Sequence, residues 1–325
     1  MTYQPRRIPQ TRWLSVRGLK HRLLWWQGQD RTPVVLLHGY MDSADTWQFL
    51  VDALPQDWTL AAPDWRGFGH SEWAPGGYWF PDYLADLEAL LALLCPESPA
   101  GVIGHSMGAN VAALYAGIRE QRLQWLINLE GVGLQPTQPQ EAPARYAQWL
   151  DEVRAGAPAS VAVAAGGTPT RTEAATGTGT ASGNYRSVEQ LAQLLMRRNP
   201  RLPAERAGFL ARAWTCPDEH SGGVRLVFDP RHRWVNPVLY RREEAEACWL
   251  RMRCPMLLLT GSLSAHRERR ERYFGDELLR TAFDAARAVS LPGVGHMMHH
   301  EDPAAVAQAI VSFVGAPPAR RSAHP

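Results

Sequence analysis

The stretch Val102-Ile103-Gly104-His105-Ser106-Met107-Gly108 sets a serine between two glycines, after a short β-branched apolar run and before a segment rich in helix formers. A serine hydroxyl becomes a nucleophile only when a base takes its proton, and the base reaches it only if the side chain projects into an open cavity. A sharp strand-to-helix turn gives that projection. It also brings backbone close on both sides, so the residues two before and two after the serine must lack bulk. Gly104 and Gly108 meet that requirement. The pattern predicts a nucleophile elbow.

Two further segments have matching architecture. Val34-Val35-Leu36-Leu37-His38-Gly39-Tyr40 reads as a buried strand ending in a glycine turn, followed by an amphipathic stretch over 44–54. Ala288-Val289-Ser290-Leu291 reads as a short strand, followed by Gly293-Val294-Gly295-His296 and by Glu301-Asp302-Pro303, which opens a last helix. A hairpin is expected over 13–26, a strand over 59–62 and a helix over 83–94 stopped by Pro96. Strands are expected at 125–129 and 256–260, with a helix over 268–286. The alternation of strand and helix breaks down between 132 and 252.

With His38-Gly39, the run Asp64-Trp65-Arg66-Gly67-Phe68-Gly69-His70-Ser71, Gly-His-Ser-Met-Gly at 104–108 and Gly295-His296 in this order, the chain resembles the α/β-hydrolase family over about residues 13–314. The resemblance implies an α/β fold: a mostly parallel twisted sheet with helices on both faces, and a mainly helical cap inserted in it. The expected division is a core from 1–131 and 253–325 and a cap from 132–252. Within the cap, 155–183 is dominated by Ala, Gly, Thr, Ser and Pro, a composition that buries little apolar surface and suggests a flexible loop. Residues 188–214 read as helical, 225–229 as extended and 243–249 as the last cap helix.

The resemblance also assigns roles. Ser106 attacks an acyl carbonyl and His296 is the general base. The backbone N–H groups of Tyr40 and Met107 form the oxyanion hole. His38 and His105 flank the site as supports of loop geometry, and His38, Trp65 and His105 are the expected substrate contacts. His299 and His300 read as helix-capping or surface groups. Most relatives carry an aspartate three residues after the glycine that closes the strand following the cap. Here Ser264 stands at that position, and a serine cannot carry the charge that steadies an imidazolium. Some relatives take the acid from the preceding strand end, where this chain has Leu129-Glu130-Gly131. Glu130 is the first candidate, Glu268 the second, and Asp276 lies too far along the chain.

Composition bounds the remainder. The chain has 325 residues, long enough for one large domain plus an insertion, and a net charge of +2 that gives nucleic acid no basic footprint. Four cysteines without C-x-x-C spacing read as reduced thiols. The absence of a leader-like apolar stretch or a run of about 18 apolar residues suggests a cytoplasmic chain without a membrane span. With no H-E-x-x-H and no phosphate loop, neither metal nor cofactor is expected. A carboxylate nucleophile, needed by the dehalogenase and epoxide-hydrolase branches, is replaced by Ser106. The thirteen tryptophans, with Trp47, Trp65, Trp73 and Trp79 near the pocket rim and Trp214, Trp234 and Trp249 in the cap, suggest an apolar pocket. The arginines of the cap favour an anionic substrate less than a solvated face. The expected activity is hydrolysis of small-molecule carboxylic esters with short to medium acyl or aromatic groups. The alternatives are another acyl bond (thioester, lactone, or a C–C bond beside a carbonyl) and a non-catalytic binding protein, for which Ser264 is the best support.

Overall fold

In the computed structural model, residues 2–156, 184–219, 221–266 and 288–315 are described. Of the flexible loop expected over 155–183 all but Ala155, which ends a helix, and Gly156 lies outside them, as do the helix over 268–286 and the alternative acid Glu268. The chain opens with the hairpin β1 (Gln10–Val16) and β2 (Leu19–Trp26), then β3 (Val34–Leu37), α1 (Gln48–Val51), β4 (Leu60–Pro63), α2 (Phe80–Leu94), β5 (Ala100–His105), α3 (Met107–Ile118) and β6 (Leu123–Leu129). After β6 come α4 (Ala142–Ala155), β7 (Asn184–Tyr185), α5 (Val188–Arg198), α6 (Ala204–Ala213), β8 (Thr215–Asp218), β9 (Gly223–Leu226) and α7 (Arg242–Leu250). The chain then returns to the main sheet with β10 (Met256–Gly261) and β11 (Ala288–Leu291), followed by α8 (Met298–Glu301) and α9 (Pro303–Gly315).

The main sheet has the order β1-β2-β4-β3-β5-β6-β10-β11. Only β1 and β2 run antiparallel to their neighbours, and the remaining pairs are parallel. Parallel strands covered on both faces must be apolar along their whole length. β3 accordingly is buried at every position, with Val34 and Leu36 in one core cluster and Val35 and Leu37 in the other. Because the strands are parallel, their C-terminal ends meet at one edge, where His38, Ser106, Glu130 and the turn before His296 emerge.

The expected strands and the helix before Pro96 form with bounds shifted by one to three residues. The stretch 44–54 forms not one amphipathic helix but a short 3-10 turn, Ala44–Trp47, and α1. The helical stretch expected over 188–214 is two helices, α5 and α6, divided where Pro200 and Pro203 fall, since proline denies the helix an N–H. The insertion between β6 and β10 also carries an antiparallel three-stranded sheet, β7-β9-β8, beside its helices.

Candidate active site

Ser106 sits between β5 and α3 with φ 48° and ψ −111°, a backbone conformation that L residues rarely hold. Such strain costs about 1–3 kcal/mol and persists only where the surroundings enforce it. Ser106 N–H donates to Leu129 O at 2.9 Å and its carbonyl accepts from Asn110 N–H at 3.0 Å, so strand β6 and helix α3 both hold the turn. The flanking glycines are there by contact. A Cβ on Gly108 would lie 2.2 Å from Leu37 O, and one on Gly104 would lie 2.6 Å from Ala109 Cα.

Glu130 is the first residue beyond β6 and also has positive φ, 54°. The turn carries its carboxylate across to the adjacent β10, whose last residue donates from Gly261 N–H to Oε1 at 2.7 Å. Oε2 accepts from Ser264 Oγ–H at 2.6 Å and lies 2.8 Å from His296 Nδ1. Ser264 therefore stands where the resemblance puts an acid, and it donates to the carboxylate carried from the end of β6. Burial pushes the Glu130 carboxyl up, yet the hydrogen bond and charge of His296, with the Ser264 and Gly261 donors, bring it below the ordinary carboxylate value. A carboxylate at Nδ1 fixes the proton there and leaves Nε2 as the basic nitrogen. Ser106 and His296 line one small cavity of about 20 Å³, together with Tyr40, Met41, Asp42, His105, Trp214 and Met297. The arrangement brings a serine and an imidazole backed by a carboxylate to one cavity.

Tyr40 follows His38-Gly39 in the loop after β3, and Met107 follows Ser106 directly. Met107 is the first residue of α3, and the first N–H groups of a helix have no partner within it. Tyr40 borders both the small cavity and a larger one, and its hydroxyl donates to His232 O at 2.5 Å, tying this loop to the insertion.

Two of the three expected substrate contacts are placed otherwise. His38 is 1% exposed and Trp65 is fully buried, and neither borders either cavity. His38 Nε2 accepts from Trp65 N–H at 3.0 Å, Trp65 Nε1–H donates to His38 O at 3.1 Å, and burial lowers the imidazole to about 4. The pair clamps two loops together because a buried polar group must find a partner nearby. His105 does line the small cavity, with Nε2 donating to His296 O at 3.0 Å. His299 and His300 are neither capping nor surface groups: both are buried, at 0% and 1% exposure, because α8 packs inward against Trp47 and Phe49.

The larger cavity, about 960 Å³, is bordered by Tyr78, Trp79, Phe80, Tyr83, Trp149 and Trp234, and it reaches Met107 beside Ser106. Of the tryptophans expected at the rim or in the cap, Trp79 and Trp234 border it and Trp214 borders the small cavity, Trp73 is exposed and borders neither, and Trp47, Trp65 and Trp249 are core residues. Three arginines border the large cavity, and each faces a carboxylate: Arg17 and Arg66 pair with Asp82 and Asp86, and Arg231 with Asp229. Their charge is met within the protein.

The residues that sequence reading passed over lie in the insertion and the oxyanion loop. Asp42 accepts from Ser43 N–H at 2.8 Å and from Trp214 Nε1–H at 3.0 Å. Tyr78 donates to Asp229 at 2.8 Å, and its ring stacks on His232. Each joins residues more than 140 positions apart, a relation that no local spacing signals.

A family model described as the alpha/beta hydrolase fold matches residues 32–303. A Danio rerio protein named serine hydrolase-like protein is 35% identical over 128 residues, spanning 39% of this chain and only 37% of that protein. The Homo sapiens serine hydrolase-like protein 2 is 25% identical over 301 residues, 89% of this chain and 88% of its own. Among solved structures, a hypothetical protein of Pseudomonas aeruginosa PAO1 superposes with TM-score 0.77 at 24% identity, covering 94% of this chain and 99% of the other. A thioesterase domain from the curacin biosynthetic pathway superposes with TM-score 0.73 at 22% identity, with the same coverage. At these identities the two structures speak for the fold.

Proposed function

The chain belongs to the alpha/beta-hydrolase fold family, and from that premise we propose that it is a serine hydrolase acting on carboxylic esters through an acyl-enzyme. Ser106 Oγ attacks the ester carbonyl while His296 Nε2 takes its proton. The Tyr40 and Met107 N–H groups receive the developing oxyanion, and the protonated His296 returns its proton to the departing alcohol. Water then repeats the sequence on the acyl-enzyme, with His296 as base again. Glu130 holds the proton on Nδ1 and stabilises the imidazolium. The observation that carries this reading is the 2.8 Å contact from Glu130 to His296, in a cavity shared with a strained Ser106. It also weighs against a purely binding role, for which the serine at 264 was the best support.

The aromatic border of the larger cavity supports an apolar acyl or aromatic group on the substrate, and the internally paired arginines argue against an anion. The core is assigned to 1–131 and 253–325 and the cap to 132–252. His232 and Trp214 of the cap hold the oxyanion loop through Tyr40 and Asp42. Among the described residues no helix is long and apolar enough to cross a membrane. The test is hydrolysis of a chain-length series of p-nitrophenyl esters by the wild type and Ser106→Ala. Turnover that vanishes in the variant supports the reading, and equal turnover in both overturns it.

A further inference from the structure

Beside the reaction cavity lies a second group of side chains for which ester hydrolysis has no use. Asp42, in the loop after β3, and His299 and His300, on α8, each direct one oxygen or nitrogen into a common space, and these three atoms all lie within 4.8 Å of one another. All three residues are buried. Asp42 Oδ2, both ring nitrogens of His299 and His300 Nε2 have no hydrogen-bond partner. Buried polar atoms are nearly always paired, and unpaired ones on three adjoining buried residues require an explanation.

We propose that Asp42, His299 and His300 bind a divalent transition cation of the Zn²⁺ class. Two imidazole nitrogens and one carboxylate oxygen are the donor set such ions take, with a further position left for water. Metal–ligand distances of about 2.0–2.2 Å put tetrahedral ligand atoms about 3.4 Å apart, so atoms lying within 4.8 Å of one another need draw together by at most about 1.4 Å. The supports around the donors fit this use. Asp42 Oδ1 is fixed by Ser43 N–H and Trp214 Nε1–H, and Oδ2 is left without a hydrogen-bond partner. Asp42 also borders the cavity at Ser106, which gives the ion a route in.

The position has a consequence for hydrolysis, and this part rests on the serine-hydrolase reading. The rings of His299 and His296 both pack against His105, at 4.4 and 4.7 Å between centroids. A dication there opposes formation of the His296 imidazolium, and the cation therefore inhibits.

The direct test is crystallisation of the full chain with ZnCl₂ and collection of anomalous scattering at the zinc edge. A peak within about 2.3 Å of Asp42 Oδ2 and a nitrogen of each histidine is the expected result. No peak there overturns the proposal. In solution, Zn²⁺ titrated by calorimetry into chelator-treated protein should bind in a step that Asp42→Asn abolishes and the exposed His70→Gln preserves. Binding unchanged in a folded Asp42→Asn overturns the proposal as well. These readouts do not depend on turnover, so they stand apart from the fate of the hydrolase reading. Where the ester is turned over, saturating Zn²⁺ should slow it about tenfold, reversed by EDTA, and a rate unmoved by bound Zn²⁺ overturns the inhibitory part.

Discussion

Replacing Glu130 by Gln removes one charge and almost no volume. The side chain accepts from Gly261 N–H, Ser264 Oγ–H and His296 Nδ1–H, at 2.7, 2.6 and 2.8 Å. The Gly261 N–H is a fixed donor, so the glutamine oxygen must face it and the NH₂ must turn to His296. The NH₂ then donates to Nδ1, the imidazole proton moves to Nε2, and the nitrogen facing substrate loses its lone pair. The positive φ of 54° strains both side chains alike, so the exchange isolates charge and tautomer from backbone effects. Losing the carboxylate of such a triad costs about 10⁴ in kcat, or about 5.5 kcal/mol at about 1.4 kcal/mol per tenfold. The assay is kcat on a short p-nitrophenyl ester, with thermal unfolding in parallel to establish that the fold survives. A folded variant whose kcat stays within tenfold of the wild type would refute the reasoning.

Ser264→Ala removes one donor to Glu130 while leaving its charge and its Gly261 contact, so kcat should fall about tenfold, far less than in Glu130→Gln, in the same assay. The Glu130 carboxyl is held below its ordinary value, so its stabilising contribution is full above about pH 4.3 and is lost as pH falls through the folded value. Urea midpoints of the wild type and Glu130→Gln should therefore differ at pH 7 and draw together below about pH 4. Trp234→Ala opens the aromatic border of the larger cavity and should raise KM for aromatic or long-chain esters several-fold, with KM for acetate esters little changed.

Local signals carried the centre of the site, and contacts between distant segments carried the remainder. The elbow at Ser106 was legible because the turn constrains its immediate neighbours, so Gly104 and Gly108 announce it. Glu130 was legible once Ser264 was seen to be the wrong residue type. His38 and Trp65 were read as substrate contacts because sequence places their loops at the site but not their side chains, which turn inward to each other. α4 escaped notice although Tyr146, Trp149, Leu150 and Val153 fall at helical spacing along it, and none of its residues is buried in the fold. The β7-β9-β8 sheet escaped because its strands are two to four residues long and contain Asn, Pro and Asp. The meeting of Asp42 with His299 and His300 depends on packing between segments more than 250 positions apart.

The central claim is that Ser106 is an activated nucleophile. Intact-mass analysis of the purified protein after treatment with a fluorophosphonate tests it directly. The account predicts a single adduct, mapped to Ser106 by peptide sequencing, formed in step with loss of esterase turnover and absent in Ser106→Ala. A folded wild-type protein that remains unlabelled, or one labelled elsewhere while Ser106→Ala still turns over ester, would contradict it.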